Sequence, residues 1–551
     1  LGYAGAGGSQ GERAELSFAA AELALALGDT AAARRELVAN LSATATAGAR
    51  QSATLLLQIG GLSADDRLAI AHVFERHGNA QRAAEGYRAW LASGAGTASR
   101  RQEVSLALGR ALFNASSFGP AEEVLRPLHS AAAAVAREAL LLTGRSQFRR
   151  GAQAQAFATL EELARRFPGS AEGAEGLYLV ADLSHDDAEI ARASRAYRSV
   201  ADNFRGHDRA GLSLMRLAGL AYLRGDHAAA AALWEEYRSN YPRGDRWLQS
   251  TYWAARAYEA GGEGARARPL YRAVREREPL SYYALLSAER LGESFWPIPL
   301  SAEPASTEAQ RADVAERVRV VDLLREAGLN TEADAEAAGL AEATGETGLL
   351  YALAEALNDR GYALRGIRIG QRLEREASQS NPRLLRILYP FPYRDLIDAE
   401  AREKGLDPFL VAALTRQESL FTRRISSPVG ARGLMQIMPE TGHALARGVG
   451  IDEWDVELLF NPEINVHLGT RYLAEQMERY DGSLPSVFSA YNAGPHRIDV
   501  WRRFPEFRED IELFTERIPY RETRDYVKIL TRNLALYEAL YGGEAPGASA
   551  R

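Results

Sequence analysis

One carboxylate and a glycine-turned loop stand close together in this sequence: Arg416-Gln417-Glu418-Ser419, then Ser427-Pro428-Val429-Gly430-Ala431-Arg432-Gly433-Leu434-Met435-Gln436-Ile437-Met438-Pro439. The residues before Glu418 predict a helix over 408–420, with Asp407 as cap, Pro408 in the first turn, and Leu410, Ala413, Leu414 and Gln417 at helical spacing. Glu418 then falls near the negative end of the helix dipole, and an apolar surround would desolvate it. Both effects favour the protonated form and raise its pKa. A carboxyl group kept neutral near pH 7 is a general acid. A lone glutamate at a helix end is ordinarily a solvated surface group, and it is the neighbours that argue otherwise. Gly430, Gly433 and Gly442 would permit a tight backbone beside a ligand, and Met435, Ile437 and Met438 are apolar where an exposed loop would be polar.

Two further blocks follow. Ala490-Tyr491-Asn492-Ala493-Gly494 closes an apolar helix, and Ile518-Pro519-Tyr520-Arg521-Glu522-Thr523-Arg524-Asp525-Tyr526-Val527 opens another. In this order and spacing the four blocks resemble the catalytic domain of the soluble lytic murein transglycosylases, a lysozyme-like fold similar to goose-type lysozyme. The resemblance covers about residues 390–545. Arg423 departs from it, standing where many members of the family carry a proline.

The resemblance implies cleavage of the β-1,4 bond between N-acetylmuramic acid and N-acetylglucosamine of peptidoglycan, leaving a 1,6-anhydro-muramoyl end, in cell-wall remodelling and recycling. Glu418 would be the single catalytic acid and base, with Ser427, Gln436, Met438, Tyr491, Asn492 and Glu522 lining the saccharide groove. For three of these a structural role is also open: Asn492 could satisfy backbone at a helix end, Glu522 could cap the helix that begins near Pro519, and Met438 could be core. The resemblance further implies the periplasm, glycan strands as partner, and cell-wall synthesis or division proteins as candidate partners of the repeat region. No cofactor is implied. A muramidase that uses water would need a second carboxylate, for which Asp452, Asp455, Glu440 and Glu522 are candidates. A non-catalytic glycan-binding scaffold is the remaining alternative, against which the presence of Glu418 argues.

The elements that must position these residues are helical. Phe167, Phe204, Tyr241 and Glu278 recur every 37 residues, preceded by Leu163, Val200, Tyr237 and Val274, by Leu160, Tyr197, Trp234 and Tyr271, and by Ala156, Ala193, Ala230 and Ala267. That is one buried helix face with alanines for close approach, which predicts an α-superhelical solenoid of tetratricopeptide-like helix pairs. Fuzzier copies precede it, marked by Gly78 with Ala83, Ala84, Tyr87 and Leu91, and by Gly109 with Phe118, Ala121 and Leu125. Proline-rich boundaries at Phe295–Ser306 and Tyr389–Pro392 set off a small helical linker domain, including helices over 312–327 and 349–358. The fold class expected is therefore mainly all-α: a repeat domain over 1–300, a linker over 301–389, the lysozyme-like domain over 390–545, and a disordered tail over 546–551.

Composition narrows the function classes. With 551 residues, 46% hydrophobic and 25% charged, the chain reads as a multidomain globular protein. No apolar run is long enough for a membrane helix. A net charge of −7, with Lys404 and Lys528 as the only lysines, argues against nucleic acid as partner. Absence of cysteine excludes disulfides and thiolate chemistry. Of nine histidines, His443, His467 and His496 fall near the site in sequence without any i, i+4 pairing, so no metal is predicted. Ser419 lacks the glycine elbow and histidine partner of a nucleophile and reads as a helix-end polar residue. The start at Leu1 fits a removed export signal or a trimmed end equally.

Overall fold

The computed structural model describes residues 9–296, 298, 300–376, 380–451 and 453–543. All regular elements among them are helices, apart from two isolated β-bridges, Ser426 with Arg432 and Arg432 with Ile437. The chain divides into two compact units, 1–221 with 239–242, and 222–238 with 243–551. Pro297 and Pro299 of the first predicted boundary, and the predicted disordered tail, lie outside the described residues.

The 37-residue period appears directly as four 14-residue helices, Gln153–Arg166, Ile190–Asn203, His227–Asn240 and Gly264–Arg277. Each ends one residue before its anchor. All twelve face residues named above are buried. The aromatic stripe is thus core, as the spacing implies. Within the first unit, close approach depends on glycine: a Cβ on Gly144 would come within 2.5 Å of Leu160 Cδ2, and one on Gly109 within 2.4 Å of Leu125 Cδ2. In the fuzzier copy after Gly78, Ala83, Ala84 and Tyr87 are buried as expected, and only the last position differs. In the helix Ala80–Ala92 the last buried residue is Trp90, with Leu91 only partly covered.

The second unit holds one continuous apolar core, running from Leu285 and Phe295 through Leu350, Leu353 and Leu385 to Leu414, Val487, Leu530 and Tyr541. The segment between the proline boundaries contains helices Glu308–Glu326 and Thr347–Asp359 where two were expected. It also contains three more, Asn330–Ala343, Ala363–Glu376 and Pro382–Leu388. Tyr537 and Tyr541 tie the last long helix, Arg521–Tyr541, to the Tyr389–Pro390 boundary by donating to the carbonyls of Pro390 (2.7 Å) and Tyr389 (2.8 Å).

Leu160 is fully buried against Gly144 and Gly176. Replacing it with alanine leaves a cavity that the rigid helix pair cannot close, and Leu160→Ala is expected to destabilise the first unit by about 2–5 kcal/mol. Denaturant unfolding of the variant beside the parent measures this directly.

Candidate functional site

Asp407 caps the helix Pro408–Ser419, its Oδ1 accepting from the Phe409 N–H at 2.8 Å, and Pro408 fills the first position. The helix stops abruptly. Leu420 and Phe421 both take left-handed backbone, φ 48° and 59°, which non-glycine residues adopt only when the surroundings hold them there. Phe421 is buried at 1% exposure and supplies that hold. Ser419 is spent on the helix end, its Oγ donating to the Thr415 carbonyl at 3.1 Å.

Glu418, on the last turn of this helix, accepts a short hydrogen bond on Oε1 from the Tyr526 hydroxyl of the helix Arg521–Tyr541. Loss of hydration pushes its carboxyl up to about 7, the Tyr526 bond pulling the other way and the negative charge of Glu522 adding to the rise. Burial also pushes the Tyr526 and Tyr491 hydroxyls well above the usual tyrosine range, with the nearby Glu418 charge contributing, so both remain proton donors. Glu418 is therefore substantially protonated at neutral pH.

The loop 427–438 is held from below. Asn465, fully buried on the helix Pro462–Arg479, donates through Nδ2 to the carbonyls of Leu459 (2.8 Å) and Arg432 (3.0 Å) and accepts from the Met435 N–H (2.8 Å). Gly433, at φ 78°, lies so close that a Cβ there would come within 2.1 Å of the Leu459 carbonyl oxygen and 2.3 Å of Asn465 Nδ2. A Cβ on Gly442 would meet Trp454 at 2.8 Å. These two glycines thus make room for the protein's own atoms, not for a ligand as the sequence suggested, while Gly430 adjoins open space.

The other predicted residues fall as follows. Tyr491, on the helix Leu484–Ala493, donates to the Met435 carbonyl at 2.9 Å, which joins that helix to the loop beside Glu418. Ser427 Oγ accepts from the Ala431 N–H at 3.0 Å, and Gln436 Nε2 donates to the carbonyls of Gly433 (2.8 Å) and Ile425 (3.3 Å). Met438 is 41% exposed and so is not core. Asn492 Oδ1 accepts from the Thr523 hydroxyl at 2.6 Å, bridging two helices where a backbone cap was the alternative. Glu522 is exposed in the first turn of Arg521–Tyr541, where it favours the helix dipole without a side-chain capping bond, and it acts on Glu418 through charge. Asn492 and Glu522 line a cavity of about 460 Å³ together with His496, Arg497 and Tyr520. A larger cavity, about 1270 Å³, is lined by Arg416 and Gln417 of the same helix but not by Glu418.

Of the other carboxylates considered, Asp452 lies outside the described residues, Asp455 caps the turn Val456–Phe460 by accepting from the Glu457 N–H at 2.8 Å, and Glu440 is exposed. Among the described residues no group of three His, Cys, Asp or Glu could hold a metal ion, and no helix is long and apolar enough to cross a membrane. Sequence reasoning missed Tyr526 and Asn465 as parts of the site. Tyr526 stood within a block already singled out, whereas nothing local marks Asn465.

Two measurements follow from this geometry. Because the Glu418 carboxyl is raised in the folded state, its contribution to stability is present below the ordinary glutamate range and is lost as pH rises through about 7. Glu418→Gln should therefore match the parent in thermal unfolding at pH 4 and exceed it at pH 8, by on the order of 2–3 kcal/mol. Asn465→Ala strands two buried carbonyls and one N–H, and should cost about 2–4 kcal/mol in denaturant unfolding.

Comparison with known proteins agrees with this architecture. Residues 395–514 match the Transglycosylase SLT domain family, and residues 138–170 and 212–243 match the tetratricopeptide repeat. The soluble lytic murein transglycosylase of Salmonella typhimurium is 29% identical over 299 residues, 54% of this chain and 43% of the relative. That of Escherichia coli K12 is 28% identical over the same shares. The match spans less than half the length of these relatives. Among solved structures, an inactive mutant of the lytic transglycosylase Slt from Pseudomonas aeruginosa aligns with TM-score 0.63 at 22% identity, covering 97% of this chain and 82% of that one. A 70 kDa soluble lytic transglycosylase in complex with bulgecin A gives TM-score 0.63 at 21% identity, covering 98% and 90%. At these identities the likeness establishes the fold, helical repeats followed by a lysozyme-like α domain. The chain resembles the soluble lytic murein transglycosylases, through an SLT domain at residues 395–514 preceded by tetratricopeptide-like helical repeats.

Proposed function

We propose that this protein is a periplasmic peptidoglycan lytic transglycosylase, cleaving the β-1,4 bond between N-acetylmuramic acid and N-acetylglucosamine with formation of 1,6-anhydro-muramoyl ends, in cell-wall remodelling and recycling. The observation that carries this reading is the Glu418 carboxyl, set near 7 by desolvation and hydrogen-bonded to Tyr526 beside the SLT-domain loop. A group with that midpoint can supply a proton and later accept one at neutral pH. Protonated, Glu418 donates to the departing glycosidic oxygen. Ionised, it takes the proton from the C6 hydroxyl of the muramoyl residue as that oxygen attacks C1. The C1–O4 bond breaks and the C1–O6 bond forms, so the proton inventory closes without water. The attacking hydroxyl belongs to the reacting sugar, which raises its effective concentration and removes the need for a second carboxylate to position a nucleophile.

The saccharide-lining roles are proposed on the same footing. Gln436 and Asn492 each use one polar atom for the protein and keep another for sugar, the Gln436 Oε1 and the Asn492 Nδ2, while the Ser427 hydroxyl accepts from the protein and keeps its O–H to donate. Met438 offers an exposed apolar face to a sugar ring, and Tyr491 fixes the loop next to the acid. Glu522 supports the protonated state of Glu418 by its charge. The domain organisation proposed is a repeat region over 1–300 that guides glycan strands and partner proteins, a linker over 301–389 and the catalytic domain over 390–545.

Digestion of purified peptidoglycan with the parent and with Glu418→Gln, followed by mass spectrometry of the muropeptide ends, tests the reading. Ends lighter by one water than reducing ends, from the parent alone, are expected. Reducing ends would mean a hydrolase in which Glu522, the carboxylate coupled to Glu418, positions water.

A further inference from the structure

We infer that the buried pair of Glu516 and Lys528 is a positioning device for Glu418, through which the last repeat helices, Trp247–Ala260 and Tyr282–Leu291, fix the rotation of the helix that carries Tyr526. This rests on the proposed reading of Glu418 as the acid. The Glu516 carboxylate, 9% exposed, accepts from Lys528 Nζ (2.6 Å), the Tyr283 hydroxyl (2.6 Å), Gln249 Nε2 (2.6 Å) and Trp253 Nε1 (3.4 Å). Lys528 Nζ also donates to the Tyr283 hydroxyl at 2.7 Å. Three of these groups come from the end of the repeat region, and Lys528 comes from Arg521–Tyr541.

Lys528 follows Tyr526 by two residues, which on an α-helix is about 200° of rotation. The two side chains therefore leave opposite sides of one helix, Tyr526 toward Glu418 and Lys528 toward Glu516. Any turn of the helix that moves one moves the other. The anchor is itself braced one turn earlier on the helix Ile511–Arg517, where Glu512 accepts from Arg256, Tyr252 and Arg290 at 2.5 Å each, and Asp510 from Arg256 at 2.6 Å. Asp510 also caps that helix, accepting from the N–H groups of Glu512 (2.9 Å) and Leu513 (3.0 Å). A buried ion pair adds little net stability against an apolar replacement, yet it tolerates little displacement. That combination suits a register pin.

The titratable groups facing Glu418 are Tyr526 and Glu522 from Arg521–Tyr541 and Tyr491 from Leu484–Ala493. Since the Tyr526 bond favours the ionised carboxylate, loosening it raises the Glu418 midpoint. Titration of the Glu418 carboxyl by infrared difference spectroscopy, each protein against its own Glu418→Gln counterpart, reads this without turnover. Lys528→Met is expected to move the midpoint up by about 0.5–1 unit, as Tyr526→Phe does, with the double variant moving no further than either alone. Turnover of peptidoglycan should fall about tenfold or more in parallel. If Lys528→Met does not fold, Gln249→Ala, which removes one bond to Glu516, and Tyr283→Phe, which removes the bond to Glu516 and the one from Lys528, leave the ion pair in place and should give smaller shifts in the same direction. An unchanged midpoint in a folded variant, even one with a lowered melting temperature, or shifts that add in the double variant, would overturn the inference. A parent that titrates near 7 but leaves peptidoglycan intact would defeat the functional reading and leave this coupling standing.

Discussion

The site turns on keeping one carboxyl group out of water while leaving it able to ionise. Loss of hydration pushes Glu418 toward the neutral acid, and full hydration would leave it a carboxylate at neutral pH. The structure sets two opposed effects against each other: loss of hydration, reinforced by the Glu522 charge, and the hydrogen bond from Tyr526. Their balance sets the midpoint near neutrality. Nearly everything else around the site serves to hold that balance. The strained pair Leu420 and Phe421 ends the helix at the glutamate, and the helix Arg521–Tyr541 must be placed closely enough for a single hydroxyl to reach it.

The loop beside the acid shows how structural and binding roles share side chains. Ser427, Gln436 and Asn492 were expected to line the groove, and each also bonds within the protein, which geometry makes compatible with contacting a ligand. An amide has a donor end and an acceptor end, so the bond that fixes one end orients the other. Gln436 spends its N–H groups on Gly433 and Ile425, which aims its oxygen. Asn492 spends its oxygen on Thr523, which aims its N–H groups. The cost is backbone strain, with Gln436 at φ 48°, in a loop that Asn465 pins at two points, the Met435 N–H and the Arg432 carbonyl, while also holding the Leu459 carbonyl beneath it.

The parts legible in the sequence are those in which one residue's environment is set by its near neighbours. A 37-residue period located four helices, and all twelve positions it named in them are buried, because a repeated helix face buries the same positions in each copy. In the fuzzier copy after Gly78 the last position named, Leu91, missed the buried residue Trp90 by one. Glu418 was legible because the desolvating helix and the neighbouring blocks were contiguous text. Tyr526 was not, since its hydrogen bond to Glu418 joins residues 108 apart and the sequence shows only a tyrosine on an apolar helix face. Asn465 was hidden for a similar reason, a single amide within the helix Pro462–Arg479 whose partners, Leu459, Arg432 and Met435, are set by the fold. The glycines misled: their freedom was real at Gly433, but what came close was Leu459 and Asn465.

A carboxylate triplet on so short a segment as Asp510–Glu516 would repel itself unless cations were supplied from elsewhere, and here they come from Arg256 and Arg290 on one side and Lys528 on the other. Lys528 is one of only two lysines in a chain that otherwise uses arginine for its cations. Arginine at this position would present a wide planar fork with five donors to a site whose acceptors for Lys528 are the Tyr283 hydroxyl and the Glu516 carboxylate. An ammonium group is compact enough to meet both oxygens within 2.7 Å. Lys528 thus joins Tyr283, at the end of the repeats, to Glu516, while the helix that carries it reaches back to the acid through Tyr526.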